Sequence, residues 1–467
     1  MNRLPVNVLY ITAYGSAQGG GERYLLELIR NLDQSRFRPI VVLPQRGNLV
    51  ELLETHGAEV FVIGTNYGGH TESRTWYKRL AEMRQQVYEI AALMREKDVR
   101  LVHTNSNTRL EAALAARVVG IHHIYLAHIA RADEGFYRWL RLDQASFAAL
   151  MGALSFAIVA VSESVAGTLA PPLPPSKVRV IHNGIDFDQF DVSARAVGVD
   201  LKSELRLPPD SVLVMAVGRI DRQKGFDILV EAAMKVAASA PQAHFVIVGA
   251  ETDKQLGSDL RSRIASSGLS DHVHFLGFRR DVPRLLRQAD IFALTSRIEG
   301  HPYVLLEAMA SSCAVVASRC AGVEESVVEG ESALLTTIGD VEATAQAIMY
   351  LVRNKEKRTD LASAASKHVR AHFDVRRSVD NLTLVYEEAL AAESPSPGAP
   401  VVDLLLDAAH DVGTLGLRVL ELNERVGRLE KLPGARLNRS LSRVAHRVAA
   451  MWRRRVSTTG RSGPSSE

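Results

Sequence analysis

The chain has 467 residues, of which 46% are hydrophobic and 23% charged, and its 56 Lys plus Arg against 53 Asp plus Glu give a net charge of +3. Such a chain is long enough for two domains and an appendage, and its balance excludes a disordered polyelectrolyte and gives no support to nucleic-acid binding. Its two cysteines, Cys313 and Cys320, lack metal-ligand spacing and point to a reduced, cytoplasmic setting.

Taken in chain order, short β-branched runs recur at 6–12, 40–43, 60–63, 101–103, 124–126, 158–161 and 178–181, with helix-length segments between them. After Asp191 the pattern starts again, at 212–217, 245–248, 273–275, 291–294 and 315–317. Strands alternating with helices predict an α/β fold of two Rossmann-like, doubly wound domains, 1–191 and 192–374. Such sheets bind ligands at the carboxyl ends of their strands, so a cleft between two facing domains is the expected site. The uncharged stretch 145–161 divides into a helix-like and a strand-like half and is shorter than the roughly 20 residues a membrane span needs. It is assigned to the core. Residues 6–12 read as a strand rather than a secretory signal.

The first turn carries Gly19, Gly20 and Gly21 ahead of a helix beginning near Glu22. Glycines let backbone approach a ligand closely, and the helix end presents free amides to a phosphate or a sugar oxygen. Polar residues follow two later strands: His103, Asn105 and Asn107, then His128 with Arg131. For His103 a structural and a functional reading stand level. Asn183 and Gly184 come next, with an Asp-x-Asp pair at Asp186 and Asp188, a divalent-metal pattern elsewhere.

The second domain opens with Gly218, Arg219 and Lys224 ahead of a helix after Gly225. Two cations beside a helix start suit a diphosphate, the guanidinium forking onto two oxygens and the ammonium acting as a point charge. Farther on, Glu299 and Glu307 stand with seven residues between them. Pro302 fits the first turn of a helix over 302–311, whose free amides would face whatever Glu299 flanks. Glu307 sits among Val304, Leu305, Leu306 and Ala308, and a carboxylate so placed needs partners. Carboxylates for hydroxyls and a helix start for an anion suit a polyhydroxyl ligand bearing phosphate.

The run Glu-Gly-His-Pro-Tyr-Val-Leu-Leu-Glu over 299–307, taken with Arg219, Lys224, the glycines 19–21 and the His-Asn-Gly-Ile-Asp segment 182–186, resembles the retaining glycosyltransferases of family 4, which have the GT-B fold. The resemblance extends from about Val6 to Tyr386. It implies transfer of a hexose-type sugar from a nucleoside diphosphate sugar to a hydroxyl acceptor, with no metal or other cofactor. By the same resemblance Arg219 and Lys224 hold the donor diphosphate and Glu307 the ribose. Glu299, Gly300, His301, Pro302 and Tyr303 surround the donor sugar, the backbone around Gly277 and Phe278 meets the base, and Gly19, Gly20 and Gly21 line the cleft. His128 positions the reacting centre, so His128, Glu299, Arg219 and Lys224 form the expected catalytic set. Metal-dependent transferases with an Asp-x-Asp pair carry it after a single Rossmann-like half, so Asp186 and Asp188 are not expected to hold metal. The sequence departs from the family at 321–325, where two glycines and a proline usually precede a Glu, and at His301, where many relatives carry an aromatic or aliphatic residue. Base, sugar, acceptor and linkage stay open. A nucleotide-sugar epimerase of GT-B architecture and a non-catalytic nucleotide-sugar-binding subunit of a polysaccharide assembly complex are the competing readings.

Residues 375–393 read as a helix crossing back to the first domain, and 394–400 as a Pro-rich linker. The extension 401–467 has 12 Lys plus Arg against 7 Asp plus Glu, a charge of +5 that leaves −2 for residues 1–400. Leu405, Ala408, Val412, Leu415, Val419, Leu422, Val426 and Leu429 alternate steps of three and four, a heptad seam that predicts a homodimer. Beyond Pro433 and Gly434, Leu437, Leu441, Val444, Val448 and Met451 are flanked by Arg436, Arg439, Arg443, Arg447 and the arginines 453–455. A basic amphipathic segment of this kind suits an anionic membrane surface. The expected acceptor is therefore a lipid-linked saccharide of a cell-surface polysaccharide, and Arg74, Trp76, Tyr77, Lys78 and Arg79 in 67–84 read either as a contact for a phosphorylated lipid or glycan or as a solvated helix. The expected location is the cytoplasm, at the inner face of the membrane.

Overall fold

The computed structural model describes residues 4–17, 19–64, 73–106, 109–129, 144–169 and 171–430. They fall into two compact units, Met1–Gly68 with Val87–Ala399, and Gly69–Gln86 with Pro400–Glu467.

The larger unit holds two wholly parallel sheets. The first comprises β1 (Val6–Thr12), β2 (Phe37–Leu43), β3 (Glu59–Val62), β4 (Val99–Asn105), β5 (His122–Ala127), β6 (Ala157–Ala160) and β7 (Val178–Val180), in the order β3-β2-β1-β4-β5-β6-β7. The second comprises β8 (Val212–Val217), β9 (Ala243–Val248), β10 (Val273–Gly277), β11 (Ile291–Leu294), β12 (Ala314–Ser318) and β13 (Leu334–Thr336), in the order β10-β9-β8-β11-β12-β13. Parallel strands are covered on both faces, so they read as unbroken apolar runs. Successive residues of β8 accordingly enter different cores. Val212, Val214 and Ala216 join Phe245, Ile247 and Ile291, under helices Phe226–Ala237 and Val341–Arg353. Leu213 and Met215 join Val246, Phe292 and Val315, under helices Tyr303–Ala310 and Lys355–His372.

Each sheet reverses its strand order beside its first strand, between β1 and β4 in one and between β8 and β11 in the other. Loops leaving the carboxyl ends of those strands diverge and open a crevice. At their carboxyl ends β1 leads into the glycine turn, β4 ends on Asn105, β8 leads into the two cations and β11 leads into Glu299.

The outgoing and returning crossovers run side by side, with Ile185 N on Phe373 O and Val375 N on Ile185 O. Ile185, Phe190 and Ala194 already belong to the second domain's core. Helix Val375–Ala391 packs back on the first domain, where Tyr386 Oη and His103 Nδ1 share a hydrogen bond of 2.6 Å inside the core. His103 is therefore a packing residue. Residues 396–398 lie along Arg117, whose Nη1 donates to Ser396 O and whose carbonyl accepts from Gly398 N. The last helix, Ala399–Glu430, starts before the expected end of the linker, since Pro400 falls in its first turn, where a missing N–H is tolerated.

In the smaller unit, helix Ala399–Glu430 packs against the first turns of helix Ser73–Glu96. A β-carbon at Gly413 would lie 2.5 Å from Tyr77 O, and one at Gly416 2.0 Å from the Tyr77 ring, so these glycines let the aromatic side chain seat. His410 Nδ1 bonds Ala81 O at 2.8 Å, and Arg84 spans Asp403 and Asp407 at 3.1 and 2.6 Å. Tyr77 and Arg79 are buried, and among the described side chains of the candidate acceptor residues Lys78 is the exposed cation. Asn107, Arg131, residues 65–72, the side chains of Arg74, Val426 and Leu429, and all of 431–467 lie outside the described residues.

Replacing Tyr386 by Phe strips a partner from a buried imidazole, and the Tyr386→Phe protein is expected to lose about 1–3 kcal/mol in urea unfolding. Unchanged stability would show that the hydrogen bond does not hold the crossover helix. Burial also drives His103 and His123 from their ordinary 6.5 to about 3. The unfolded chain then takes up these protons first, so stability falls as pH drops from about 6.5 toward 3. Urea midpoints at pH 7 and pH 5 are expected to separate less in His123→Asn than in the parent protein.

Candidate active site

The loop after β11 is zipped onto the loop after β8. Arg297 N donates to Gln223 O, Gln223 Nε2 to Ile298 O, and the Arg297 guanidinium forks onto Asp227. Gly225 has a φ of +65°, and a β-carbon there would lie 2.0 Å from Thr295 O, so only glycine lets these loops close. The result brings Lys224 Nζ to 2.6 Å from Glu299 Oε1, which also accepts from Ser296 Oγ at 2.6 Å. Both side chains are largely enclosed, at 17% and 7% exposure. Arg219, half exposed, lies 3.3 Å from Asp221 Oδ2.

Helix Tyr303–Ala310 begins at Pro302, which stands one place before the first helical residue rather than within the first turn. No side chain caps this helix. Its Glu307 is 3% exposed. The partner this carboxylate requires comes from the opposite domain: Arg23 Nη1 lies 2.5 Å from Glu307 Oε1, and the guanidinium stacks 5.0 Å from the centre of the Tyr303 ring. Arg23 belongs to helix Gly20–Asn31, which opens on Gly20 and Gly21, two residues before the expected start near Glu22. Nothing in the sequence pattern marked it except the demand of Glu307 for a cation. Its neighbour Glu22 accepts from Thr12 Oγ1, and burial raises its carboxyl above the usual range. A β-carbon at Gly19 would lie 2.4 Å from Glu22 Oε2, whereas Gly20 faces open space.

His128 follows β5, and its Nε2 bonds Asn105 Oδ1 at 2.7 Å. Asn105 in turn donates Nδ2 to Gly21 O at 2.7 Å, which fixes the amide and leaves the proton on His128 Nε2. Burial lowers the imidazole to about 4, so it is neutral at pH 7. The backbone of this residue is also a contact surface. A β-carbon at Gly300 would lie 1.8 Å from His128 O, and one at Gly322 1.5 Å from Gly300 O. Gly322 is thus required although the surrounding 321–325 loop departs from the family pattern. Glu325 acts across the domains, accepting from Glu163 N, Ser164 N and His182 Nε2 at 2.7, 2.9 and 2.9 Å. Burial would raise its carboxyl, but these hydrogen bonds outweigh burial and hold it below the ordinary range.

His301 is 3% exposed and packs against His182 and Phe373, with ring centres 4.9 and 5.2 Å away. Neither ring nitrogen has a hydrogen-bond partner among the described residues, and burial, with His182 beside it, lowers the imidazole to about 3. Its carbonyl accepts from Asn183 Nδ2. Gly277, with a φ of +65°, accepts from Gly249 N, and Phe278 stands 51% exposed beyond β10. Asp186 caps the helix Phe187–Ala194 through Gln189 N, and Asp188 pairs with Arg376. The geometry therefore gathers Arg219, Lys224, Glu299, Glu307, His128 and the glycine turn around the crevice. It turns His301 toward the crossover segment.

Residues 18–189 match the sequence profile described as Glycosyltransferase Family 4, and residues 200–368 that described as Glycosyl transferases group 1. The lipopolysaccharide core biosynthesis glycosyltransferase LpsE of Rhizobium meliloti (strain 1021) is 31% identical over 217 residues, 46% of this chain and 58% of that protein. The D-inositol 3-phosphate glycosyltransferase of Stackebrandtia nassauensis is 29% identical over 303 residues, 61% of this chain and 67% of that one. The solved structure of Anabaena HepE in complex with UDP-glucose aligns with a TM-score of 0.70 and 25% identity, over 82% of this chain and 99% of that one. With both halves matched in sequence and two parallel sheets facing a common crevice, the chain belongs to the GT-B glycosyltransferases of family 4.

Proposed function

We propose that this protein is a retaining glycosyltransferase that moves a hexose-type sugar from a uridine diphosphate sugar to a hydroxyl acceptor. The observation that carries the reading is the enclosed Lys224–Glu299 pair beside Arg219, at the crevice where the sheet order reverses. A cation held against a sugar-side carboxylate has donors left for phosphate oxygens. As the glycosidic bond breaks, charge develops on the diphosphate, and Arg219 and Lys224 stabilise it. Glu307, held through one oxygen by Arg23, offers the other to the ribose hydroxyls. Glu299 and the uncapped start of helix Tyr303–Ala310 hold the sugar, the neutral His128 positions its reacting face, and Gly277 with Phe278 meets the base. The departing phosphate oxygen takes the acceptor's proton, so the scheme needs no separate nucleophile and base dyad of the kind retaining hydrolases use. No step in this scheme calls for a metal or another cofactor.

The complex of HepE with UDP-glucose supports a uridine donor, and the relatives named for lipopolysaccharide core and inositol phosphate glycosylation support an acceptor from cell-surface glycan or glycolipid synthesis. In this reading the protein is cytoplasmic and reaches a lipid-linked acceptor at the inner membrane face through the basic segment 436–455. No helix among the described residues is long and apolar enough to cross a membrane.

The test is a thermal-shift screen against uridine, guanosine and adenosine diphosphates and their sugars, with the parent protein, Glu307→Ala and Lys224→Ala. Uridine diphosphate at roughly 100-fold over its Kd is expected to stabilise the native state by about 2.7 kcal/mol, a rise of a few degrees. Both variants are expected to lose it. No rise with any nucleotide would reject the donor site, and a rise without sugar transfer would favour a non-catalytic binding subunit.

A further inference from the structure

We propose that helix Ala399–Glu430 joins two copies of this chain in a parallel, two-stranded coiled coil. The helix carries two apolar faces. One, with Val402, Leu406, Gly413 and Gly416, is buried within the chain, and the glycines of that face receive Tyr77. The other is the heptad seam, and among the described residues nothing covers its leucines: Leu405, Leu415 and Leu422 are 55, 51 and 57% exposed, and Ala408 is exposed with them. Val412 and Val419 are half-buried on the same line.

Steps of three and four average 3.5 residues, the period that keeps an apolar stripe facing a second supercoiling helix. With Leu405 and Ala408 at the first a and d positions, the later a positions are Val412, Val419 and Val426, and the later d positions Leu415, Leu422 and Leu429. β-Branched a residues with Leu at d select two parallel strands. Charge agrees with this partner. In the sequence the g-position Arg425 precedes Glu430 at the following e position, the opposite-charge pairing of in-register parallel helices, and Arg418 at g precedes the neutral Asn423, while the e-position Gly416 is taken up by Tyr77 of its own chain. Residues 399–430 contain six Asp or Glu against three Arg, so this helix is acidic and does not suit an anionic membrane. The basic residues lie beyond it.

Light scattering on the full chain is expected to give twice 51.1 kDa at micromolar concentration, and on the full-chain Leu415→Glu/Leu422→Glu variant 51.1 kDa with unchanged helix content by circular dichroism. Both changes fall on exposed positions, so folding should be kept. Leu422→Cys is expected to form a disulfide-linked dimer on mild oxidation, since parallel in-register d positions face one another. A monomeric parent chain, a double variant that stays dimeric, or a dimeric Leu422→Cys that does not cross-link would overturn the proposal. So would a monomeric parent chain whose binding to phosphatidylglycerol vesicles is lost in the double variant.

Discussion

The Glu307 carboxylate lies almost fully out of water, and the architecture depends on how that charge is met. An unpaired buried carboxylate is expensive, and breaking such a pair by removing one partner costs about 3–5 kcal/mol. The cation comes from Arg23, in the other domain and 284 residues away in the chain. The two halves are therefore not merely adjacent: the second domain's Glu307 is completed by an arginine of the first domain's opening helix. Any nucleotide that engages Glu307 meets a group whose position already depends on both domains.

The same theme appears in the backbone. His128, Gly300 and Gly322 stack so closely that a β-carbon at either glycine would fall within 2 Å of a carbonyl oxygen. Overpacking of this kind cannot be absorbed by a rotamer change, because both neighbours are main chain. Glu325 adds three hydrogen bonds across the same seam. The unusual 321–325 sequence thus keeps the glycine that the approach requires and uses its carboxylate to bind the first domain.

Strands 6–12, 212–217 and 291–294 were legible to the residue because both faces of a parallel sheet are buried and the apolar runs stand out. β13 was not, since three residues give no pattern. The paired glutamates and the two cations stood out by local chemistry, whereas His128 was singled out by its place after a strand and by the family resemblance. Arg23 could not be read either way, because a salt bridge across 284 residues leaves no local signal beyond the need of its partner. His103 and the neutral state of His128 were likewise decided by burial, which spacing does not report. In the last helix the seam was visible as leucines and valines, but the face that packs on Tyr77 is made partly by Gly413 and Gly416, which a count of apolar residues passes over.

The most direct test of the account is a double-mutant cycle on uridine diphosphate affinity by calorimetry, using Arg23→Gln, Glu307→Gln and the two together. If Arg23 acts through Glu307, the double variant binds no more weakly than the worse single, with a coupling energy of roughly 1–3 kcal/mol. Losses that simply add would show that the two residues meet the donor independently, and would contradict the claim that one ion pair joins the domains at the nucleotide.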